Sequence, residues 1–173
     1  MIRESIGGRD HSHPVSVMSC LLRSAGLLPY RLRSGLELLV AHPGGPYFAR
    51  RDNGWWSIVK GMVELDESDL EAAAREFTEE TGWAPPAQPW IQLGDTTLKS
   101  RKVVVAFAVE TDFDPTALEP GTFEMGGRRY PEIDRVEWME PEQARVKLNP
   151  AQGVFIDRLL SHLSESGNNL EHP

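Results

Sequence analysis

One cysteine stands among 173 residues, so Cys20 has no partner for an internal disulfide. A disulfide-stapled secreted scaffold is excluded, and a reducing compartment fits. The lone thiol reads as a small buried apolar residue. No uninterrupted apolar run approaches the ~20 residues of a membrane-spanning helix. No apolar core of a signal peptide is visible near the start. These absences lead to the expectation of a cytoplasmic protein without membrane contact. Basic residues are also in deficit: 18 Lys and Arg against 26 Asp and Glu give a net charge of −8. That balance argues against a surface for nucleic-acid polymers. It leaves room for a nucleotide pocket, because bound cations reverse the sign that a phosphate meets. No internal repeat and no composition break mark a second domain. The expected layout is a polar leader over residues 1–17, one domain over 18–165 and a polar tail over 166–173. His11 and His13 lie in that leader with no Cys/His cluster nearby, and read as solvated residues rather than a metal site.

What is present is concentrated between Gly61 and Trp83. Ser68 followed by Glu71 is a capping box, which starts a helix, and Gly82 is a natural stop. Leu70, Ala73, Ala74 and Phe77 recur with helical spacing and form one apolar face. Glu76, Glu79 and Glu80 share another. Like charges at this spacing cost about 0.2–0.5 kcal/mol per pair. Glu79 and Glu80 also stand at the negative end of the helix dipole, where cations are favoured. Arg75 alone does not balance three carboxylates. A solvated acidic helix would not place its charges so badly, so a divalent cation is indicated. With oxygen ligands alone available, a hard metal such as Mg²⁺ or Mn²⁺ fits.

The constrained positions are Gly61, Glu67, Arg75, Glu76, Phe77, Glu79, Glu80, Gly82 and Trp83. Their spacing resembles the signature of the Nudix hydrolases, the MutT-like pyrophosphohydrolases, at every fixed position. The strand pattern from about Ser24 to the helix near Leu160 also resembles that family. The resemblance implies an α/β (α+β) fold, the α/β/α sandwich with a mixed central β-sheet. It implies metal-dependent hydrolysis of a pyrophosphate bond in a nucleoside diphosphate linked to another group. Glu76, Glu79 and Glu80 would hold the metal, joined by the backbone carbonyl of Lys60. Arg75 would orient a glutamate, and Glu67 would support the site through an ion pair. Relatives often carry proline before the Lys-Gly pair, where this chain has Val59.

Along the rest of the chain, Ala25–Leu32 and Leu36–Ala41 read as strands joined at Ser34-Gly35. Pro29 is expected at an edge or a bulge. Phe48, beside Tyr47, Arg50 and Arg51, offers two readings: stacking of a base with capture of phosphate, or local packing with solvated arginines. Lys60 is a further candidate for substrate contact. Trp55–Val59 reads as a strand, and residues 61–67 as a loop in which Gly61 relieves backbone strain. Residues 90–93 and 96–98 read as two short strands, and Val103–Val109 as a central buried one. Lys99, Arg101 and Lys102 form a basic turn that faces either phosphate or solvent. Asp112–Arg129 reads as a long loop, and loops of that length are often functional. It carries Glu124, the first candidate for an additional acid of the kind that the family recruits; Glu132 is the second. Ile133–Met139 is a strand, Pro141–Lys147 a short helix, and a final helix carries Phe155, Ile156, Leu159, Leu160 and Leu163.

Two other function classes compete. One is a Nudix-fold module that senses a nucleotide without cleaving it, which lost glutamates would favour; none is lost. The other is an interaction domain with an incidental acidic helix. A small-molecule nucleotide is the expected partner, with nucleoside triphosphates or dinucleoside polyphosphates favoured over ADP-ribose, NADH or coenzyme A. The downstream tyrosine often found in the dinucleoside polyphosphate branch is absent; Leu98, Lys99 and Ser100 occupy that region.

Overall fold

The computed structural model describes residues 22–168, so Cys20, His11, His13 and the 1–17 leader lie outside the described residues, as does the end of the tail. Eight strands and three α-helices follow one another: β1 Arg23–Leu32, β2 Leu36–Pro43, β3 Val59–Met62, α1 Asp69–Thr81, β4 Ile91–Thr97, β5 Val103–Glu110, β6 Thr122–Met125, β7 Arg128–Pro131, β8 Ile133–Met139, α2 Pro141–Lys147 and α3 Gly153–Asn168. Single 3₁₀ turns lie at Pro115–Ala117 and Pro150–Gln152.

Six strands form one mixed sheet in the order β4-β5-β1-β2-β8, with β3 also paired to β1. β1 runs parallel to β5 and antiparallel to β2 and β3. Residues alternate between its two faces. One face, with Leu28, Val104, Ala106 and Ile58, packs on Ala144 of α2 and on Phe155, Ile156 and Leu159 of α3. The other, with Ala25, Leu27, Val59, Val105 and Phe107, packs on Ala72, Ala73 and Phe77 of α1. The architecture is the expected α/β/α sandwich around a mixed sheet. Phe77 is fully buried, a burial worth about 1.5–3 kcal/mol for a side chain of this size. Among the described residues no helix is long and apolar enough to cross a membrane.

One feature of β1 opens the molecule. On the same side it pairs with β3 over Ser24–Leu27 and with β2 over Tyr30–Leu32. Leu28 and Pro29 fall in the gap between the two partners. Pro29, expected at an edge or a bulge, lies instead in the interior strand β1, where no rung is required on that side. Where β2 leaves β1 it takes β8 as partner, from Leu38↔Met139 to Pro43↔Ile133. A cleft of about 60 Å³ remains between this pair and β3, lined by Ala41, Pro43, Ser57, Ile58, Lys60, Glu80, Glu132 and Ile133.

Other expectations are corrected. The strand expected over Trp55–Val59 lies later, at Val59–Met62, with Trp56 and Ser57 making only isolated bridges. Residues 91–97 form one strand, and the break expected within it is a bulge between Gln92 and Gly94. The long loop contains a hairpin, β6–β7, turned at Gly126 and Gly127, both with positive φ (59° and 73°). Two adjacent glycines are a turn signal for such a hairpin.

Candidate active site

Ser68 caps α1 as expected: its hydroxyl accepts from the Glu71 amide, and Glu71 answers to the Ser68 amide. Gly82 closes the helix in the left-handed conformation, φ 75°. Beyond it Trp83 stacks on Phe113, with ring centroids 4.6 Å apart, and Phe113 also meets Phe77. The bulky positions of the motif thus fix the helix against the chain that follows.

Arg75 organises the first half of the carboxylate face. It donates in bidentate fashion to Glu67 at 2.8 and 2.9 Å. It reaches Glu76 at 2.8 Å, Glu79 at 3.1 Å and the Met62 carbonyl at 2.9 Å. The guanidinium holds Glu67 down to about 2, with the Glu64 amide assisting. These contacts tie α1 to β3. Gly61 completes the tie by close approach, not by an unusual backbone angle: a Cβ there would stand 1.9 Å from the Glu76 carboxyl. Gly61 also lies within β3 rather than in a loop.

Glu80 sits differently. It accepts from the Lys60 amide at 3.0 Å and has no ion-pair partner within 4 Å among the described residues. Burial pushes its carboxyl up to about 8, against the pull of Lys60, with Glu76 and Glu132 adding repulsion. In an antiparallel pair, a residue that turns its N–H away from its partner turns its C=O the same way. The Lys60 carbonyl therefore faces the same side as the Glu80 carboxylate. Opposite stands Glu132. The Glu79 and Thr81 carbonyls at the C-terminal end of α1 accept from the Gly121 and Glu119 amides, and Glu132 donates its amide to Gly121. These bonds bring Glu132 to the carboxylates. Burial raises its carboxyl first, then Glu76 and Glu79.

Glu124 lies elsewhere. It is exposed on β6 and faces Arg129 across the hairpin at 3.6 Å. Arg51 is committed to aromatic rings, 4.3 Å from Tyr47 and 4.1 Å from Trp55, while Phe48 meets Tyr47 edge-on and Arg50 is exposed. Local packing is the arrangement observed there. Lys99 and Arg101 are exposed, whereas Lys102 is half-buried.

No three Asp, Glu, His or Cys side chains among the described residues converge tightly enough to hold a metal ion. Glu76 and Glu79 are turned to Arg75, and Glu80 to an amide. The donor chemistry nevertheless fits a hard divalent cation. All the donors are oxygens, and Glu80 is a sequestered carboxylate with no ion-pair partner within 4 Å among the described residues.

The NUDIX domain model matches residues 21–159, and the chain belongs to the Nudix family. Solved structures with the same fold include an Ap4A hydrolase of C. elegans (TM-score 0.61, 20% identity, 82% of this chain and 98% of that one). The NUDIX domain of Shewanella oneidensis NrtR, complexed with ADP ribose, is similar at TM-score 0.58 and 16% identity, over 83% of this chain and 88% of that one. A MutT protein from Methanosarcina mazei Go1 gives TM-score 0.57 and 22% identity, over 82% and 94%. No curated protein matches the chain by sequence.

Proposed function

We propose that this chain is a metal-dependent pyrophosphohydrolase of a nucleoside diphosphate linked to another moiety, with nucleoside triphosphates or dinucleoside polyphosphates as the favoured substrates. The observation that carries the reading is Glu80, a carboxylate raised by burial at the acidic end of α1, with Glu76, Glu79 and Glu132 around it. A structural helix gains nothing from this cluster; a cation site requires it. Glu76, Glu79, Glu80 and the Lys60 carbonyl would hold Mg²⁺ or Mn²⁺. Bound there, the ion would polarise the phosphoryl group and acidify water.

The protein's own groups supply the rest. Arg75 aligns Glu76 and Glu79 from one side, and Glu67 holds Arg75 in place. Glu132, raised by its surroundings, has the direction of shift that suits a general base, and Glu76 is the alternative within the helix. Glu124, in this reading, contributes at most through the hairpin that carries it. Of the residues first considered for substrate, Phe48 and Arg51 meet neighbouring aromatic rings, Arg50 is exposed, and the Lys60 amide donates to Glu80.

The test is phosphate release from a panel of nucleotides, coupled to inorganic pyrophosphatase, with Mg²⁺, Mn²⁺ or EDTA. Metal-dependent turnover of one substrate class is expected. Tight nucleotide binding with no turnover of any panel member would favour the sensing module instead.

A further inference from the structure

His42 lies near the end of β2 and is buried, with 1% of its surface exposed. Each of its ring nitrogens meets an acceptor. Nε2 stands 2.7 Å from the Arg51 carbonyl oxygen, and Nδ1 stands 2.7 Å from the Asp134 carboxylate. A carbonyl oxygen only accepts, so Nε2 carries a proton. A neutral imidazole has a single N–H; with that proton on Nε2, a bare Nδ1 would face the carboxylate lone pair to lone pair. Both bonds are made only when the pair holds one proton more. The Asp134 side chain is 32% exposed, which keeps a carboxylate hydrated and ionised, so the added proton belongs on the ring. The other charges nearby have partners of their own. Arg135, across the ladder from His42, lies 5.0 Å over the Trp56 ring and reaches Glu137 at 3.5 Å. The Arg51 guanidinium covers Tyr47 and Trp55. Asp52 accepts from the Trp56 indole and pairs with Lys147 of α2, while Trp56 meets the His42 ring edge-on at 5.1 Å.

The bond to Arg51 matters for the cleft. The connection from β2 to β3 leaves at Pro43 and returns through Ser57 and Ile58, and all three residues line the cleft. Its two ends are fixed by backbone bonds. The Gly44 amide donates to the Glu132 carbonyl, and the Gly54 and Trp56 amides donate to the Val146 and Lys147 carbonyls. Between these ends, among the described residues, hydrogen bonds tie residues 46–53 to strands or helices at two points only. One is the Arg51 carbonyl on His42; the other is the Asp52–Lys147 pair. Exposed ion pairs hold little, whereas a buried bond from a charged donor holds more. The His42 ring is therefore the main fastening of this wall.

We propose that His42 is a doubly protonated clasp, which fastens residues 46–53 of the cleft wall to Asp134 of β8 and releases them when the ring loses its second proton. The neutral ring places its single proton toward Asp134, where the charge draws it, and Nε2 then has nothing to give the Arg51 carbonyl. The rival role is a neutral core histidine whose contacts are indifferent to pH. Asp134→Asn separates the two. Its side-chain amide can donate to Nδ1 while Nε2 donates to Arg51, so a neutral ring closes the clasp.

Two measurements on the whole chain test the clasp, and neither requires turnover. The first is nitrogen-15 NMR of the His42 ring in mildly acidic solution. Both ring nitrogens should carry protons in wild type, and Nε2 alone in Asp134→Asn. The second is the rate of tryptic cleavage after Arg50 and Arg51, from about pH 6 to about pH 9, corrected for the pH dependence of trypsin on a free peptide. Cleavage of wild type should rise about tenfold or more as pH rises, as for loss of a charged hydrogen bond. Cleavage of Asp134→Asn should stay slow and flat. A single N–H on the wild-type ring would overturn the proposal, as would cleavage of wild type that ignores pH. A rise that persists in Asp134→Asn would overturn it too, since it would trace to another group, Glu80 first among them. Should Asp134→Asn fail to fold, the two wild-type measurements decide alone.

Discussion

The two ends of α1 follow opposite rules. At the N-terminal end, Ser68 and Glu71 satisfy each other's amides, and Glu67 is held by two N–H groups of Arg75. At the C-terminal end there is no basic residue in the last turn, and Glu80 has only one amide for company. The same residue type is driven to about 2 at one end and to about 8 at the other. The difference is local: a guanidinium in one case, burial in the other. A helix end that is well satisfied serves the fold. One that is left with an uncompensated carboxylate serves a ligand.

The strongest way to break this contrast is Glu80→Gln. Turnover of the substrate found in the nucleotide panel should fall by at least about 100-fold, since even residues that only support metal ligands cost 10–100-fold. The metal-free protein should melt no lower than wild type, because a buried carboxyl whose ionisation is disfavoured there has been replaced by a neutral amide. Initial rates in Mg²⁺ and thermal melts in EDTA check both halves; lost activity through global unfolding would refute the assignment. Arg75→Ala should act next most strongly, and on both ends together. It releases Glu67, Glu76 and Glu79, so a loss of about 2 kcal/mol in urea unfolding is expected. A smaller fall in turnover, about 10–100-fold, should accompany it.

The mildest test is pH. The raised Glu80 keeps a proton in the folded state that the unfolded chain has lost above its ordinary value of 4.5. Unfolding then releases a proton, so in EDTA stability should fall as pH rises from about 4.5 to about 8. Glu67 has the opposite sign: its contribution is present above 4.5 and is lost as pH falls toward about 2. Denaturation curves across pH in Glu80→Gln should lose the upper slope and keep the lower one.

Much of this contrast was legible in the sequence, because its cause is local. The capping box, the stop at Gly82 and the misplaced acids of the last turn all depend on spacing along one helix. The strands at 36–43, 103–110 and 133–139 were equally readable from apolar patterning. What escaped depends on partners distant in the chain. Gly61 looked like a flexible bend, but what marks it in the fold is the close approach of the Glu76 carboxyl arriving from another element. Pro29 looked like a marker of an edge or a bulge because the change of partner along β1 is written in no single stretch. Glu124 seemed nearer to the site than Glu132, since both lie far from the motif in sequence. The Gly126-Gly127 turn, read as a hairpin, would have set Glu124 opposite Arg129. Lys102 was grouped with Lys99 and Arg101 by adjacency; counting alternation back from Val104 would have separated it from them.

The bonds from the Glu119 and Gly121 amides to the end of α1 carry one more meaning. Helix ends fray first, and surface connections are the ordinary seat of motion. Here the two are stitched together, about forty residues apart in sequence. The connection that delivers Glu132 cannot swing free while the last turn of the helix stays wound. Slackening at either place is slackening at both, so the acids from the helix and the acid from beyond it assemble, or come apart, as one cooperative unit.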